Sequence, residues 1–455
     1  MSSRQAQRGG ASRASERTQR DTFPRRVTPS WFADAKLGVF VHWGAYSVPA
    51  WAEPTGELGA VADDVWFAHN PYAEWYANTI RINGSPAQAH HARAWASCDY
   101  DAFLDLWKAK SFDAERLMED IRASGARYVV PTTKHHDGIA LWNAPGTGAR
   151  NVVHRGPRRD LVEEMAKAAR GEGLRFGVYY SGGLDCHHSP TAPIRTHAQM
   201  YGTRPINVAY ACYAFRHVDD LIRRYRPDIL WNDIEWPDAG KANTPFGLPE
   251  LFRRYVDTVP DGVVNDRWGV PFADFATSEY QAHRDRESGL FEHTRGIGLS
   301  FGYNAVESDE HLLRGDDLIR YFVDVVARGG NLLLNVGPTA EGTLPATQRT
   351  VLRDLGAWLD VNGEAIYGSR PAPKPFAAAN DPWVRWTAKR GSVFAFVDAG
   401  TGPARVRCVT DLVDWQAARA VSRSPAQLWR VDHGFVADFA ATGIHVLELP
   451  LRSES

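Results

Sequence analysis

Cysteine is scarce in this chain: Cys98, Cys186, Cys212 and Cys408 are the only four in 455 residues, and no two form a C-x-x-C pair. That scatter excludes a zinc ribbon and argues for reduced thiols over a disulfide framework. No run of 18 apolar residues occurs, so no membrane-spanning helix is expected. Excess charge of either sign is also missing. A net charge of -2 gives no reason to expect nucleic acid or an anionic membrane as partner. The first 26 residues carry Arg4, Arg8, Arg13, Arg17, Arg20, Arg25 and Arg26 among Ser, Gln and Gly, but no apolar segment follows them. This reads as a disordered tail over 1–27 and not as a signal peptide, so the expected location is cytoplasmic.

What is abundant is aromatic surface: 16 Trp, 16 Tyr and 20 Phe, with many tryptophans beside His, Asp or Glu. Flat rings with polar neighbours suit sugars, which are apolar on their C–H faces and polar at their edges. Tryptophan is also a good core residue, and purely structural use is the competing explanation.

Eight short apolar or aromatic runs, several ending in polar residues, read as strands: 37–44, 128–138, 175–183, 228–236, 262–268, 276–280, 299–304 and 331–338. Helical stripes lie between several of them. DAERLMEDIRASG has Asp113 as its cap and Gly125 as its stop, Asp160 opens a second helix, and a third runs to Gly329. Buried strands alternating with helices point to a parallel sheet covered on both faces. Eight of them point to an irregular (β/α)8 barrel over 28–371, with no room for a helix at 269–275. From about 372 the pattern alternates without a helical stripe, which predicts a small C-terminal antiparallel β-sandwich over 372–455.

In such a barrel the strand ends carry the chemistry. They would bring together His42, His135, His136, Tyr179 or Tyr180, Asp233, Arg267, Glu279 and Asn304. No G-x-S-x-G elbow, phosphate loop or G-x-G-x-x-G turn is present. Two carboxylates across a cleft are what glycoside cleavage needs, one ionised as nucleophile and one protonated as acid. Asp233 ends an apolar run and is the candidate nucleophile; Glu279, ending ATSEY, is the candidate acid. Arg267 is placed to keep one carboxylate ionised. Taken singly, an Asp at a strand end is more often a helix cap or ion-pair partner, and a lone Glu is usually a solvated surface residue. Adjacent histidines on a strand face opposite ways, so His135 and His136 are not expected to enter one site together. Cys186, His187 and His188 look metal-like, but no further ligand spacing supports a metal. His90 and His91 read as surface residues. In DILWNDIEWPD, the period of two places Trp231, Asp233 and Glu235 on one face.

At this point the motifs carry a resemblance. WFADAKLGVFVHWGAYSVPAWAE, YAEWY, TKHHDGIALW, RFGVYYSGGLD, DILWNDIEWP, NDRWGVP, TSEY, TRGIGLSFGYN and GGNLLLNVGP, in this order over about residues 30 to 370, resemble the α-L-fucosidases of glycoside hydrolase family 29. The resemblance implies a retaining exo-α-L-fucosidase working by double displacement, with Asp233 as nucleophile and Glu279 as acid/base; Glu74 competes for the second role. It implies a fucose pocket made by His42, Glu74, Trp75, His135, His136, Tyr179, Trp231, Arg267 and Phe301. Trp231 and Phe301 would give an apolar wall to the C5 methyl group. No metal or organic cofactor is implied. The implied partner is a small fucosylated glycoside, with a homo-oligomer left open. The competing functions are a fucose-binding protein without turnover and a retaining glycosidase or transglycosylase on a related sugar.

Overall fold

The computed structural model describes residues 22–57, 59–189, 193–280, 289–398, 404–407, 410–422, 426–432, 434–439 and 442–452. Residues 1–21 of the expected tail, Cys408, and positions 190–192 and 281–288 lie outside the described residues.

Eight strands form one parallel sheet: β1 (Leu37–Val41), β2 (Tyr128–Lys134), β3 (Arg175–Ser181), β4 (Ile229–Asp233), β5 (Val263–Val264), β6 (Ala276–Glu279), β7 (Phe291–Gly296) and β8 (Asn331–Val336). Their order is β5-β4-β3-β2-β1-β8-β7-β6, the run of a (β/α)8 barrel. The helices that cover it have the stripes the sequence shows. α1 (Ala114–Ala123) starts at Asp113, whose side chain accepts from the Arg116 N–H, and buries Leu117, Met118 and Ile121. α2 (Leu161–Gly171) is capped by Asp160 in the same way. α3 (Val208–Tyr225), α4 (Leu248–Thr258), α5 (Gly315–Ala327) and α6 (Ala346–Asn362) complete the outer layer.

The barrel is irregular where the sequence has no room for a helix. Among the described residues no backbone ladder joins β5 to β6, and no helix lies between them. Side chains bridge this seam instead. Asp266 Oδ1 accepts from the Thr277 N–H at 3.0 Å, Arg267 Nε donates to Thr277 Oγ1 at 2.9 Å, and Asp274 Oδ2 accepts from the Val264 N–H at 2.8 Å.

One expected strand is corrected. Residues 299–304 form no strand, and the seventh strand is FEHTRG at 291–296. This segment escapes the apolar-run rule because its inward positions are polar and satisfied inside the protein: Glu292 by Tyr128 and Trp231, with Thr294 Oγ1 donating to the Ser278 carbonyl. The C-terminal segments form two antiparallel sheets, one built around Trp383–Lys389, Ser392–Asp398 and Ile444–Pro450, the other of Ala404–Arg407, Ala426–Val431 and Gly434–Phe439. Val384, Val393, Phe435 and Leu447 from both sheets share one apolar cluster, which is sandwich packing. Among the described residues no helix is long and apolar enough to cross a membrane.

At the opposite end of the barrel from the strand C-termini, Lys36 is fully buried and its Nζ meets no partner among the described residues. Burial, with the Arg370 charge adding to it, pushes its pKa down to about 8. Below that pH the folded state holds an unpaired charge that the unfolded chain solvates, and the shift from 10.5 corresponds to a penalty on the order of 3 kcal/mol. Between about 8 and 10.5 the unfolded state binds the extra proton, so this penalty fades as pH rises. Lys36→Met should therefore raise the unfolding midpoint in denaturant titrations at pH 7, with the gain vanishing by pH 10.5.

Candidate active site

The C-terminal ends of the strands surround a small pocket. β1 supplies Phe40 and, just past its end, His42; β3 supplies Tyr179 and β4 supplies Trp231 and Asp233. The loop after β5 brings Arg267, and β6 brings Glu279. Glu74, Trp75 and Phe301 arrive from loops. All eleven residues that the resemblance assigns to catalysis or the sugar pocket line this one cavity.

Its centre is an arginine between two acids. Arg267 donates from one terminal nitrogen to Asp233 Oδ1 at 2.9 Å and from the other to Glu279 Oε2 at 3.2 Å. Tyr179 O–H donates to Asp233 Oδ2 at 2.8 Å, and the Ile234 N–H donates to Oδ1 at 2.9 Å. His136 Nε2 stands 3.8 Å from Asp233 Oδ2. Tyr72 O–H donates to Glu279 Oε1 at 3.2 Å. Burial opposes the charge on Asp233, but Arg267, His136 and Tyr179 outweigh it and hold this carboxyl below the usual range. At Glu279 burial wins: Arg267 offsets part of it, the Asp233 charge adds to it, and the net shift is upward. One guanidinium thus sits between two carboxyls whose affinities for a proton are pushed apart.

Glu74 is almost fully buried, accepting from the Gly302 N–H at 2.7 Å and Ser300 Oγ at 3.3 Å. Burial pushes its pKa up to about 8, against those hydrogen bonds, so it holds its proton at neutral pH. The imidazoles are the reverse case. Burial pushes His42 down to about 3 and His136 to about 4, and both are neutral hydrogen-bonding groups. Asn335 Oδ1 holds His42 Nδ1 at 2.6 Å and Ser181 Oγ holds His136 Nδ1 at 2.7 Å. His135 Nδ1 is buried without a partner among the described residues, so it has hydrogen-bonding capacity to spare.

Several expectations change. His135 and His136 both enter the pocket, because β2 ends at Lys134 with a register shift and strand parity no longer applies beyond it. Tyr179 faces the pocket, whereas Tyr180 points outward with its O–H 3.1 Å from His217 Nδ1. Asn304 is outside the pocket, pinning the chain at Ala52 through both of its side-chain polar atoms. Cys186, His187 and His188 follow β3 in a turn organised by Asp185, and among the described residues no cluster of His, Cys, Asp or Glu is placed to hold a metal. His91 is buried against Tyr76 and Cys98, not on the surface.

Glu235 does not share the face of Asp233. β4 stops at Asp233, and Ile234 and Glu235 both take left-handed φ, 56° and 64°, which turns the chain away. Gly183 allows the turn, since a Cβ there would lie 1.7 Å from the Ile234 carbonyl oxygen. Glu235 ends up paired with Lys241 at 2.6 Å and Arg204 at 3.2 Å. Sequence reasoning missed Tyr72, Phe40 and Thr294 as lining residues. Phe40 has the strand parity of His42 and was findable; Thr294 lies on the strand that was not recognised.

A small pocket of paired carboxyls, neutral imidazoles and aromatic walls at the mouth of a (β/α)8 barrel is the arrangement of a glycoside hydrolase. Comparison with known proteins narrows this. The family model for alpha-L-fucosidase matches residues 4–364. The alpha-L-fucosidase of Dictyostelium discoideum is 32% identical over 391 residues, covering 83% of this chain and 79% of that protein. Human tissue alpha-L-fucosidase is 32% identical over 406 residues, with 84% and 80% covered. Among solved structures, the Thermotoga maritima alpha-fucosidase in complex with fucose superimposes with a TM-score of 0.83 at 40% identity, covering 93% of this chain and 97% of that one. The chain belongs to the alpha-L-fucosidase family.

Proposed function

We propose that the protein is a retaining exo-α-L-fucosidase acting on small fucosylated glycosides. Asp233 attacks the anomeric carbon and expels the leaving group as Glu279 protonates its oxygen. A water molecule deprotonated by Glu279 then releases fucose from the covalent fucosyl-enzyme. The observation that carries this reading is the Arg267 bridge, which ties together two carboxyls whose proton affinities are pushed apart, that of Asp233 downward and that of Glu279 upward. Glu279 is preferred to Glu74 as acid/base because it shares that arginine with the nucleophile and its side chain keeps 21% exposure, within reach of a leaving group and water. Glu74, sealed under Gly302 and Ser300, suits a sugar hydroxyl. The neutral imidazoles of His42, His135 and His136 serve the remaining hydroxyls, while Trp231 and Phe301 face the C5 methyl group. Trp75 completes the wall. The free thiols of Cys98, Cys186 and Cys212 support a reducing, cytoplasmic setting.

The test is hydrolysis of an aryl α-L-fucoside followed by NMR: α-L-fucose should be the first anomer formed, and β-L-fucose first would rule out retention. The pH profile has a worked sign. Activity needs Asp233 ionised and Glu279 protonated, so kcat/KM should fall on the acid side as Asp233 gains a proton and on the basic side as Glu279 loses one. Calorimetric binding of fucose without any turnover would favour the sugar-binding alternative.

A further inference from the structure

Beneath the pocket, in the barrel interior, Glu292 of β7 is completely buried. Such interiors are usually filled by branched apolar side chains, and a carboxyl there calls for a compensating role. Two donors reach it from other strands: Trp231 Nε1 at 2.8 Å from β4, and Tyr128 O–H at 2.5 Å from β2. The Tyr128 ring lies so close over β1 that a Cβ at Gly38 would come within 2.2 Å of it. Glu292 does not line the pocket, so it has no direct route to a substrate.

The indole it holds is the platform of the reaction centre. The Arg267 guanidinium lies over the Trp231 ring, 4.7 Å from its centroid. The Tyr179 ring is stacked on the indole at 5.5 Å and 25°, and the Tyr179 O–H reaches Asp233. Trp231 therefore positions both side chains that hold the nucleophile. Arg267 needs this support because it follows a two-residue strand at the seam where the backbone ladder is missing. Its own anchors are Thr277, the two carboxyls and the indole.

We infer that Glu292 is a positioning residue: by fixing the Trp231 N–H it sets the plane on which Arg267 bridges Asp233 and Glu279. The inference rests on the catalytic reading above. Its test is a double-variant cycle on the full chain, read as kcat/KM for an aryl α-L-fucoside and, separately, as fucose affinity by calorimetry. Glu292→Gln keeps a carbonyl oxygen for the indole and should stay within about threefold of the parent, while Glu292→Leu should lose about 10- to 100-fold in kcat/KM. Trp231→Phe keeps a ring but removes the N–H, and should lose a similar factor. The two losses should not multiply in the combined variant, because both cut one link. Multiplying losses would overturn the inference, as would equal losses in the Gln and Leu variants that follow a fall in Tm. Where Glu292→Leu does not fold, Trp231→Phe alone decides, and unchanged kcat/KM in it is the contrary result. If the parent turns over no α-L-fucoside, the catalytic reading fails, and the same cycle in fucose affinity still decides the role of Glu292.

Discussion

Asp233→Ala is expected to lower kcat for an aryl α-L-fucoside by a factor on the order of 10⁴ to 10⁶, the range seen when a hydrolase loses its nucleophile. Azide should restore turnover, with β-L-fucosyl azide as product. The lost carboxylate leaves a small space beside three groups that suit an anion: the Arg267 guanidinium, the Tyr179 O–H and the Ile234 N–H, each now bonded to Asp233. An azide lying there meets the anomeric carbon from the side Asp233 uses, displaces the leaving group and inverts the α-configuration to β. The small ion needs no proton removed, so Glu279 has only its acid role to perform. Near-parental turnover without azide would exclude Asp233 as nucleophile. Rescue giving α-L-fucosyl azide would place the attacking group on the opposite face of the sugar.

The architecture was legible wherever burial alone shapes a strand. β1, β2, β3, β4 and β8 are apolar on both faces and stand out as continuous runs. β7 does not, because it spends its inward positions on Glu292 and Thr294, and a carboxyl satisfied by a Trp and a Tyr from distant strands has no local signature. The nearby apolar stretch at 299–304 took its place in the sequence reading, yet it is a loop that delivers Phe301 to the pocket. His42, His135, His136, Tyr179, Asp233, Arg267 and Glu279 could be gathered because they sit at or near strand ends, whereas Glu74, Trp75 and Phe301 came only with the family resemblance; parity could not orient the residues just beyond a strand. His135 with His136, and Asp233 with Glu235, show the two ways this fails: a register shift lets neighbours converge, and two left-handed residues send apart a pair that period two would have aligned. The Arg267 bridge depends on a seam without a ladder, which no periodicity reveals.

Glu279→Ala and Glu74→Ala should separate in their dependence on the leaving group. Without a general acid, departure of a basic sugar alkoxide is slowed most, so Glu279→Ala should lose about 10²- to 10⁴-fold in kcat/KM on a fucosyl disaccharide. On a dinitrophenyl fucoside, whose leaving group departs unprotonated, the first step should survive and the fucosyl-enzyme accumulate as a burst. Added azide should then release α-L-fucosyl azide, by attack on the β-linked intermediate from the face where Glu279 stood. The basic limb of the pH profile should flatten in the same variant, since its upward-shifted carboxyl is the one whose deprotonation ends activity. Glu74→Ala removes a group bound to Gly302 and Ser300 within the sugar cavity, so its loss should be similar for both substrates and appear largely in KM. Burial pushes Glu74 up to about 8 and shifts Glu279 upward as well, so the direction of the shift alone does not choose between them. Geometry does: Glu279 shares Arg267 with Asp233, whereas Glu74 is held by neutral donors. A burst and azide rescue in Glu74→Ala, with neither in Glu279→Ala, would exchange the two assignments.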